Sequence, residues 1–453
     1  MKRTLSSQTI KSIEKKVKVS GWIQSVRLHG KIVFVDLRDR GGIMQIVFTP
    51  KNKDVYDLAQ TLKNEWVISV EGIVKKRPEK MINPEIKSGT VELSGEKIEI
   101  LSKSETPPFE LKSLNLSLTN LLDHRPLTLR NKTIKAIFKI KEEMINGFRE
   151  SLKEMDFSEF QSPVIVPTST EGGAEIFNLQ YFGYNAYLAQ SPQFYKQIMV
   201  GVNERAFTIS HVCRAEPSMT TRHMAEYISL DAEMGFIDSW DDIMVVCEKT
   251  IRHIFKKIEK ECSEELKLFE EKLPEFNSEF PRIKMREAQE IIFKRTGRDN
   301  REKSDLEPQD EKDICEWAKE KHNSDFVFIT HYPTSKRPFY SYKDPEDPEY
   351  TLSFDLLYKG LEIVTGGRRI SDYKELVESI KKQGNNPKDF SFYLQTFKYG
   401  MPPGGGFAIG SERLVKQTLG LSSVKEASLF PRDMIRIDQR LSVLHPKKKK
   451  NKK

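Results

Sequence analysis

Arg214 and Glu216 stand two residues apart near the end of the run AFTISHVCRAE, and Tyr227, Ser229, Asp231 and Glu233 stand two apart along EYISLDAEMGF. Side chains two apart on a strand share a face. If the two faces coincide, one surface carries a guanidinium, several carboxylates and an aromatic ring. Unpaired charges are costly to bury, so this surface is either a solvated sheet face or a site for a charged ligand. A second cluster, GMPPGGGFAIGSERLVKQTL, reads as a Gly/Pro-rich turn, a short strand and a helix beginning near Ser411, with Glu412 and Arg413 in its first turn. Glycine lets a ligand approach the backbone, and an arginine beside it can pair with a phosphate. The loop does not fit GxxxxGK[ST], and no GxGxxG follows a strand and opens a helix, so neither common nucleotide-binding motif is supported. Asp355 and Glu362 flank a tight turn at Lys359-Gly360, between SFDLLY and LEIVTG, where they can face the same side. Two such carboxylates suit a magnesium ion shared with phosphate oxygens.

In AYLAQSPQFYKQ a strand ends near Gln190, Ser191 can cap a helix and Pro192 suits its first position. Gln193 and Lys196, three apart, then project from the same side. A lysine on such a helix is ordinarily just solvated, but Arg369 in GGRRISDY and Asp231 offer it company. A pocket for a side-chain carboxylate needs more than one cation, because charge-assisted bonds must replace the ion's water shell. Lys196 and Arg369 meet that need, with Asp231 orienting the lysine.

These residues need two kinds of scaffold. From Val17 to about Leu101, short alternating runs such as KIVFVDL, IMQIVF and WVISVEGIV predict a five-stranded β-barrel over residues 1–104. Phe34 and Asp36 share one face of a barrel strand and Gln45 lies on the next; the alternation alone leaves Phe34 open between core residue and base-stacking platform. Residues 105–130, opening on Thr106-Pro107-Pro108, read as a linker. From 131 to 446 the pattern predicts an α+β domain. Ile134, Ile137, Ile140, Met144, Phe148 and Leu152 mark an amphipathic helix, AYLAQ and five later runs mark a mostly antiparallel sheet, and 238–321 is charged and helical.

The 453 residues allow one large core plus a smaller domain. Of the net charge of +8, the final KKKKNKK supplies six, so charge is a weak pointer to nucleic acid, and residues 447–453 read as a solvated basic tail. No apolar run reaches membrane-spanning length and the start lacks a secretory pattern, which predicts a cytoplasmic protein with no membrane association. Four scattered cysteines without CxxC spacing predict neither zinc nor disulfides.

Taken together and in order, these motifs resemble the class II aminoacyl-tRNA synthetases of subgroup IIb. Motif 1 is the long helix with FSEFQSPVIVPT, motif 2 is CRAEP through RHMAEY, and motif 3 is GGGFAIGSERL; FPRD at Phe430–Asp433 fits as well. GWIQSVRLHGKIVFVDLRDRGGIMQIVF resembles the family's anticodon-binding OB-fold. The resemblance implies that Arg214 holds the α-phosphate of ATP, Glu216 the adenine amino group and Tyr227 the ring, where relatives often carry Phe. It gives Arg222, His223 and Arg413 the distal phosphates and Asp355 and Glu362 the Mg2+ that accompanies ATP. The QSPQxxKQ pattern with Asp231 matches the compact aspartyl-tRNA synthetases of archaeal and eukaryotic type. That match implies L-aspartate held by Gln193, Lys196, Asp231, Thr365 and Arg369, with Glu171 in STEGGAEIF for its ammonium. It further implies a homodimer through the long helix and the Pro163 strand, and tRNA-Asp as the acceptor, with tRNA-Asn as an additional candidate. Phe34 would stack on the central anticodon base, with Gln45 and Glu92 contacting the anticodon. The chain departs from the family at Gly404, commonly His, and at Arg368, commonly Gln. Two alternatives stay open at this point, an asparaginyl-tRNA synthetase and a non-catalytic tRNA-binding relative.

Overall fold

Alternation in the first eighty residues of barrel sequence is resolved inward and outward as the pattern demands. In the computed structural model, which describes residues 1–112, 115–169, 176–217, 219–276 and 278–444, strands β1 (Lys16–His29), β2 (Ile32–Asp39), β3 (Gly42–Phe48), β4 (Val67–Lys76) and β5 (Val91–Ser102) close a barrel in the order β1-β2-β3-β5-β4. On β2, Val33, Val35 and Leu37 point into the core while Phe34 and Asp36 lie half-buried on the outer face. Each buried aliphatic contributes about 1.5–3 kcal/mol. Helix α1 (Lys53–Gln60) is capped by the Asn52 side chain.

A second compact unit begins at Leu116. Residues 116–130 therefore belong to it and are not linker: α2 (Leu118–Asp123) and α3 (Arg125–Thr128) are helical, and buried Arg125 donates to the carbonyls of Glu426, Ser428 and Leu429 at 2.6–3.0 Å. Those bonds fasten the start of the unit to the segment at residues 426–429. Helix α4 (Lys132–Glu154) opens on Asn131, whose side chain accepts from the N–H groups of Thr133 and Ile134, a cap that stabilises the helix by about 1 kcal/mol. Its six expected apolar positions are all buried.

The elements that follow are β6 (Ser158–Glu159), β7 (Ile165–Val166), β8 (Asn178–Tyr181), β9 (Tyr184–Leu188), α5 (Gln193–Asn203), β10 (Arg205–Cys213) and β11 (Glu226–Gly235). Then come α6 (Asp241–Glu261), α7 (Ser263–Leu266), β12 (Arg282–Lys284), α8 (Met285–Thr296), α9 (Pro308–His322), β13 (Phe326–Thr330), β14 (Ser353–Tyr358) and β15 (Leu361–Arg369). Then follow α10 (Tyr373–Lys382), α11 (Ser391–Lys398), β16 (Gly404–Gly410), α12 (Ser411–Leu419) and α13 (Leu441–Leu444). An eight-stranded sheet runs β12-β13-β14-β15-β16-β11-β10-β6, antiparallel except for the edge pairs β12/β13 and β10/β6. The AYLAQ run does not join it. As β9 it pairs with β7 and β8 in a separate three-stranded sheet. The charged 238–321 segment is largely helical, and α9 is mounted on the sheet through Ile314, Cys315 and Ala318, which pack with Val327, Ile329 and Leu357. All four cysteines are buried and unbridged. No helix among the described residues is long and apolar enough to cross a membrane.

Candidate active site

β11 is an inner strand of the large sheet, sixth of the eight, paired with β10 on one side and β16 on the other. Its face carries Tyr227, Ser229, Asp231 and Glu233 as expected. Strand β10 ends at Cys213, so Arg214 and Glu216 are not strand residues; they lie in the segment leading to β11. Even so, both line the same cavity of about 1060 Å³ as Tyr227, a size at the upper end for small-ligand sites. Gln193, Lys196, Arg222, His223, Asp355, Glu362, Thr365, Arg369 and Arg413 line it too. Glu171 lies outside the described residues.

At one end, Arg214 lies 5.8 Å from the Tyr227 ring centroid and 3.9 Å from Glu216. Glu216 also faces His223 Nε2 at 3.7 Å. Burial holds His223 below its ordinary range, and Arg413 and Arg222 add to that against the opposing pull of Glu216. With the imidazole neutral, the charge at this end is set by Arg214, Arg222 and Arg413 against Glu216, Glu311 and Glu362.

The middle of the cavity is built on the β14/β15 hairpin. Lys359 and Gly360 both have positive φ, the geometry of a two-residue turn in which glycine is favoured. Thr365 stands opposite Asp355, and a register shift after Leu356 brings Glu362 opposite Leu357. Glu362 and Thr365 are an odd number of residues apart, so without that bulge they would face opposite sides. Burial pushes Asp355 up to about 6, aided by Glu362 and opposed by Arg337. At Glu362, burial is outweighed by Arg413 and Arg337, and the carboxyl sits below its ordinary range. Arg337 approaches Asp355 Oδ1 at 2.9 Å and donates to Thr365 Oγ1 at 3.2 Å. The buried Oδ1 still has no aligned donor among the described residues.

At the other end, Lys196 on α5 lies 3.0 Å from Asp231 Oδ1 and 3.3 Å from Glu233 Oε2, all three side chains sealed from solvent. Ser229 donates to the second Asp231 oxygen. Arg369 Nε donates to Glu233 Oε1 at 2.9 Å, and its Nη2 to the Gly406 carbonyl at 3.1 Å. A Cβ at Gly406 would fall 2.1 Å from Glu233 Oε2, so the glycine of motif 3 is what lets this carboxylate stand between the two cations. Asp231, unlike Lys196, is not among the residues that line the cavity, and meets it only through its contact with the lysine. Helix α5 starts at Gln193 with Pro192, not Ser191, at its N-cap position.

Sequence reasoning missed three residues here. Glu233 was placed on the right face without a role. Arg337 in TSKRPFY had no periodic signal, and Glu311 on α9 was one acid among many. Glu311 accepts from Arg222 and from the Glu362 N–H.

On the barrel, Asp36 pairs across to Gln45, whose Nε2 donates to Glu92 at 3.2 Å. Arg27, opposite Phe34, pairs with Asp36 at 3.1 Å. Phe34, Gln45 and Glu92 therefore share one outer, half-buried polar face, and Phe34 is not core.

Comparison with known proteins places these features. Residues 17–101 match the OB-fold nucleic acid binding domain family, and residues 117–434 match the family described as tRNA synthetases class II (D, K and N). The aspartate–tRNA(Asp) ligase of Pyrococcus abyssi is 40% identical over 93% of this chain and 96% of its own. The aspartate–tRNA(Asp/Asn) ligase of Aeropyrum pernix is 41% identical over 93% and 95%. Among solved structures, the asparaginyl-tRNA synthetase of Pyrococcus horikoshii with asparaginyl-adenylate superposes with a TM-score of 0.85 at 32% identity, covering 94% of this chain and 97% of that one. A putative aspartyl-tRNA synthetase from Leishmania major gives 0.86 at 28% identity, covering 96% and 94%. The chain belongs to the class II tRNA synthetases of the D, K and N group.

Proposed function

We propose that within this family the chain is an aspartate–tRNA ligase. It joins L-aspartate to ATP, forming aspartyl-adenylate and releasing pyrophosphate, and then transfers the aspartyl group to the 3′ end of tRNA-Asp, releasing AMP. The observation that carries the reading is the sealed Lys196–Asp231–Glu233–Arg369 array. Lysine and arginine offer only donors. A substrate carboxylate meets them with acceptors, whereas the amide nitrogen of asparagine would turn a donor toward a donor and leave buried groups unpaired. Two carboxylates already stand among these cations, so the pocket supplies directed N–H groups more than surplus positive charge.

The substrate α-carboxylate is already a nucleophile, and the residues need only align it and neutralise charge. Arg214 is assigned the α-phosphate, Glu216 and Tyr227 the adenine, and Arg222, His223 and Arg413 the distal phosphates. Gln193 and Thr365 complete the aspartate pocket with Lys196 and Arg369.

Asp355 and Glu362 fit magnesium. They are two hard oxygen donors on one face, with a buried carboxylate oxygen lacking an aligned donor. Phosphate oxygens and water would complete the shell around these two protein ligands. Magnesium, when bound with ATP, neutralises charge between the phosphates.

The outer face of Phe34, Gln45 and Glu92 is assigned the anticodon. A cytoplasmic homodimer through α4 and the Pro163 segment completes the reading, and mass in solution tests the dimer. The function is tested by charging tRNA-Asp and tRNA-Asn transcripts side by side with labelled aspartate. Aspartyl-tRNA-Asp is the expected product, the tRNA-Asn lane assigns the tRNA range, and no charging of either transcript would overturn the reading.

A further inference from the structure

Four residues from four different elements form a closed circuit at the phosphate end of the cavity. Glu311 Oε2 accepts from Arg222 Nη2 and from the Glu362 N–H, the latter at 3.1 Å. Arg413 Nε donates to the Arg222 carbonyl at 3.4 Å, and Arg413 Nη1 donates to the Glu362 carbonyl and Oε2 at 3.2 and 3.1 Å. Three members come from segments already assigned to the site. Glu311 comes from α9, outside all three motifs, and is itself 7% exposed.

The circuit divides the work between holding and binding. Arg222 sits in the irregular segment between β10 and β11, which has no ladder to fix it. Holding a long cationic side chain in one geometry costs up to about 2 kcal/mol of rotamer entropy. A carboxylate mounted on a packed helix lowers that cost before the ligand arrives, because Ile314 and Ala318 of the same helix are fully buried. Arg222 keeps donors in reserve: its buried Nε has no partner among the described residues. Arg413 is tied to the Arg222 main chain through that carbonyl and the Arg222 guanidinium to Glu311, so both guanidinium groups are held within one circuit.

We propose that Glu311 is a positioning residue for the distal phosphates of ATP, acting through Arg222 and the Glu362 backbone to preset the two guanidinium groups that receive them. This rests on the assignment of Arg222 and Arg413 to those phosphates. Glu311 touches no substrate and takes no part in bond making.

The test uses the full-length protein with Glu311→Ala, Glu311→Gln and Arg222→Ala, in aspartate-dependent ATP–pyrophosphate exchange and in calorimetric binding of ATP and of AMP. Glu311→Ala should raise KM for ATP on the order of tenfold, the loss of a charge-assisted bond, with KM for aspartate and AMP affinity unchanged. Glu311→Gln keeps volume and one acceptor and should fall between wild type and Glu311→Ala, which covers the case that the alanine variant folds poorly. In the double variant, Glu311→Ala should add little to Arg222→Ala. Equal weakening of ATP and AMP, additive effects of the two substitutions, or an unchanged KM for ATP in both Glu311 variants would overturn the proposal. If Arg222→Ala raises KM for ATP while the Glu311 variants do not, only this inference fails; if Arg222→Ala leaves ATP binding untouched, the phosphate assignment beneath it fails.

Discussion

Lys196 Nζ stands 3.0 Å from Asp231 Oδ1 with both side chains almost wholly sealed from solvent, at 1% and 0% exposure. A buried ion pair of this kind is expensive to break from one side, because the remaining charge keeps its desolvation cost without its partner. Lys196→Leu should therefore abolish aspartate activation, spare ATP binding, and lower folding stability by about 3–5 kcal/mol. Adding Asp231→Leu should restore part of the stability and none of the activity. Denaturant midpoints alongside exchange assays check this; equal loss of ATP and aspartate binding would show misfolding.

The anticodon face is separable from the fold of its barrel. Because Phe34 lies outside the core of Val33, Val35 and Leu37, Phe34→Ala should leave barrel stability nearly unchanged. Loss of base stacking is worth about 1–3 kcal/mol, so KM for tRNA should rise by roughly 5- to 150-fold while tRNA-independent exchange stays at the wild-type rate. A drop in exchange as large as the drop in charging would show that Phe34 is not confined to tRNA recognition.

His223 supplies a pH test. Its folded-state pKa is lowered, by burial first and by Arg413 and Arg222 as well. The unfolded chain then holds more protons than the folded one just below the ordinary value of 6.5, so this contribution to stability is present at neutral pH and is lost as pH falls through the folded pKa. Phosphates beside the ring raise its pKa, so ATP binding takes up a proton and tightens as pH falls toward that range. Titration of the ring by NMR should give a midpoint below 6.5 in the free protein and a higher one with ATP. A midpoint above 6.5 without ATP would contradict this account of the site.

Magnesium removal gives a fourth test. A chelator should abolish exchange and excess Mg2+ should restore it. Asp355→Asn should shift the Mg2+ requirement upward, read as the concentration giving half-maximal exchange. An unchanged requirement would remove Asp355 from the metal site.

Much of this architecture was legible because its elements carry strong periodic signals. The barrel strands alternate cleanly, and α4 buries each of the six apolar positions its spacing marked. Tyr227 to Glu233 lie on one strand with an unbroken ladder, so a spacing of two keeps them on one face, although burial itself runs without alternation from Ser229 to Gly235. What escaped has physical causes. AYLAQ reads as a strand, but strand pattern says nothing about which sheet receives it, and it pairs with β7 and β8. Arg214 and Glu216 keep a spacing of two beyond the last ladder pair at Cys213, where spacing no longer reports a face. The boundary at Leu116 was hidden because α2 and α3 are too short for helical periodicity to show. Glu311 and Arg337 reach the site from segments distant in sequence, and nothing local separates these largely buried groups from the many charges that stay on the surface.

The central claim is that the Lys196–Arg369 pocket selects a carboxylate side chain. Its most direct test is ATP–pyrophosphate exchange by the purified protein with magnesium and either L-aspartate or L-asparagine. The account predicts robust exchange with aspartate and little with asparagine. Exchange with asparagine and not aspartate would contradict it.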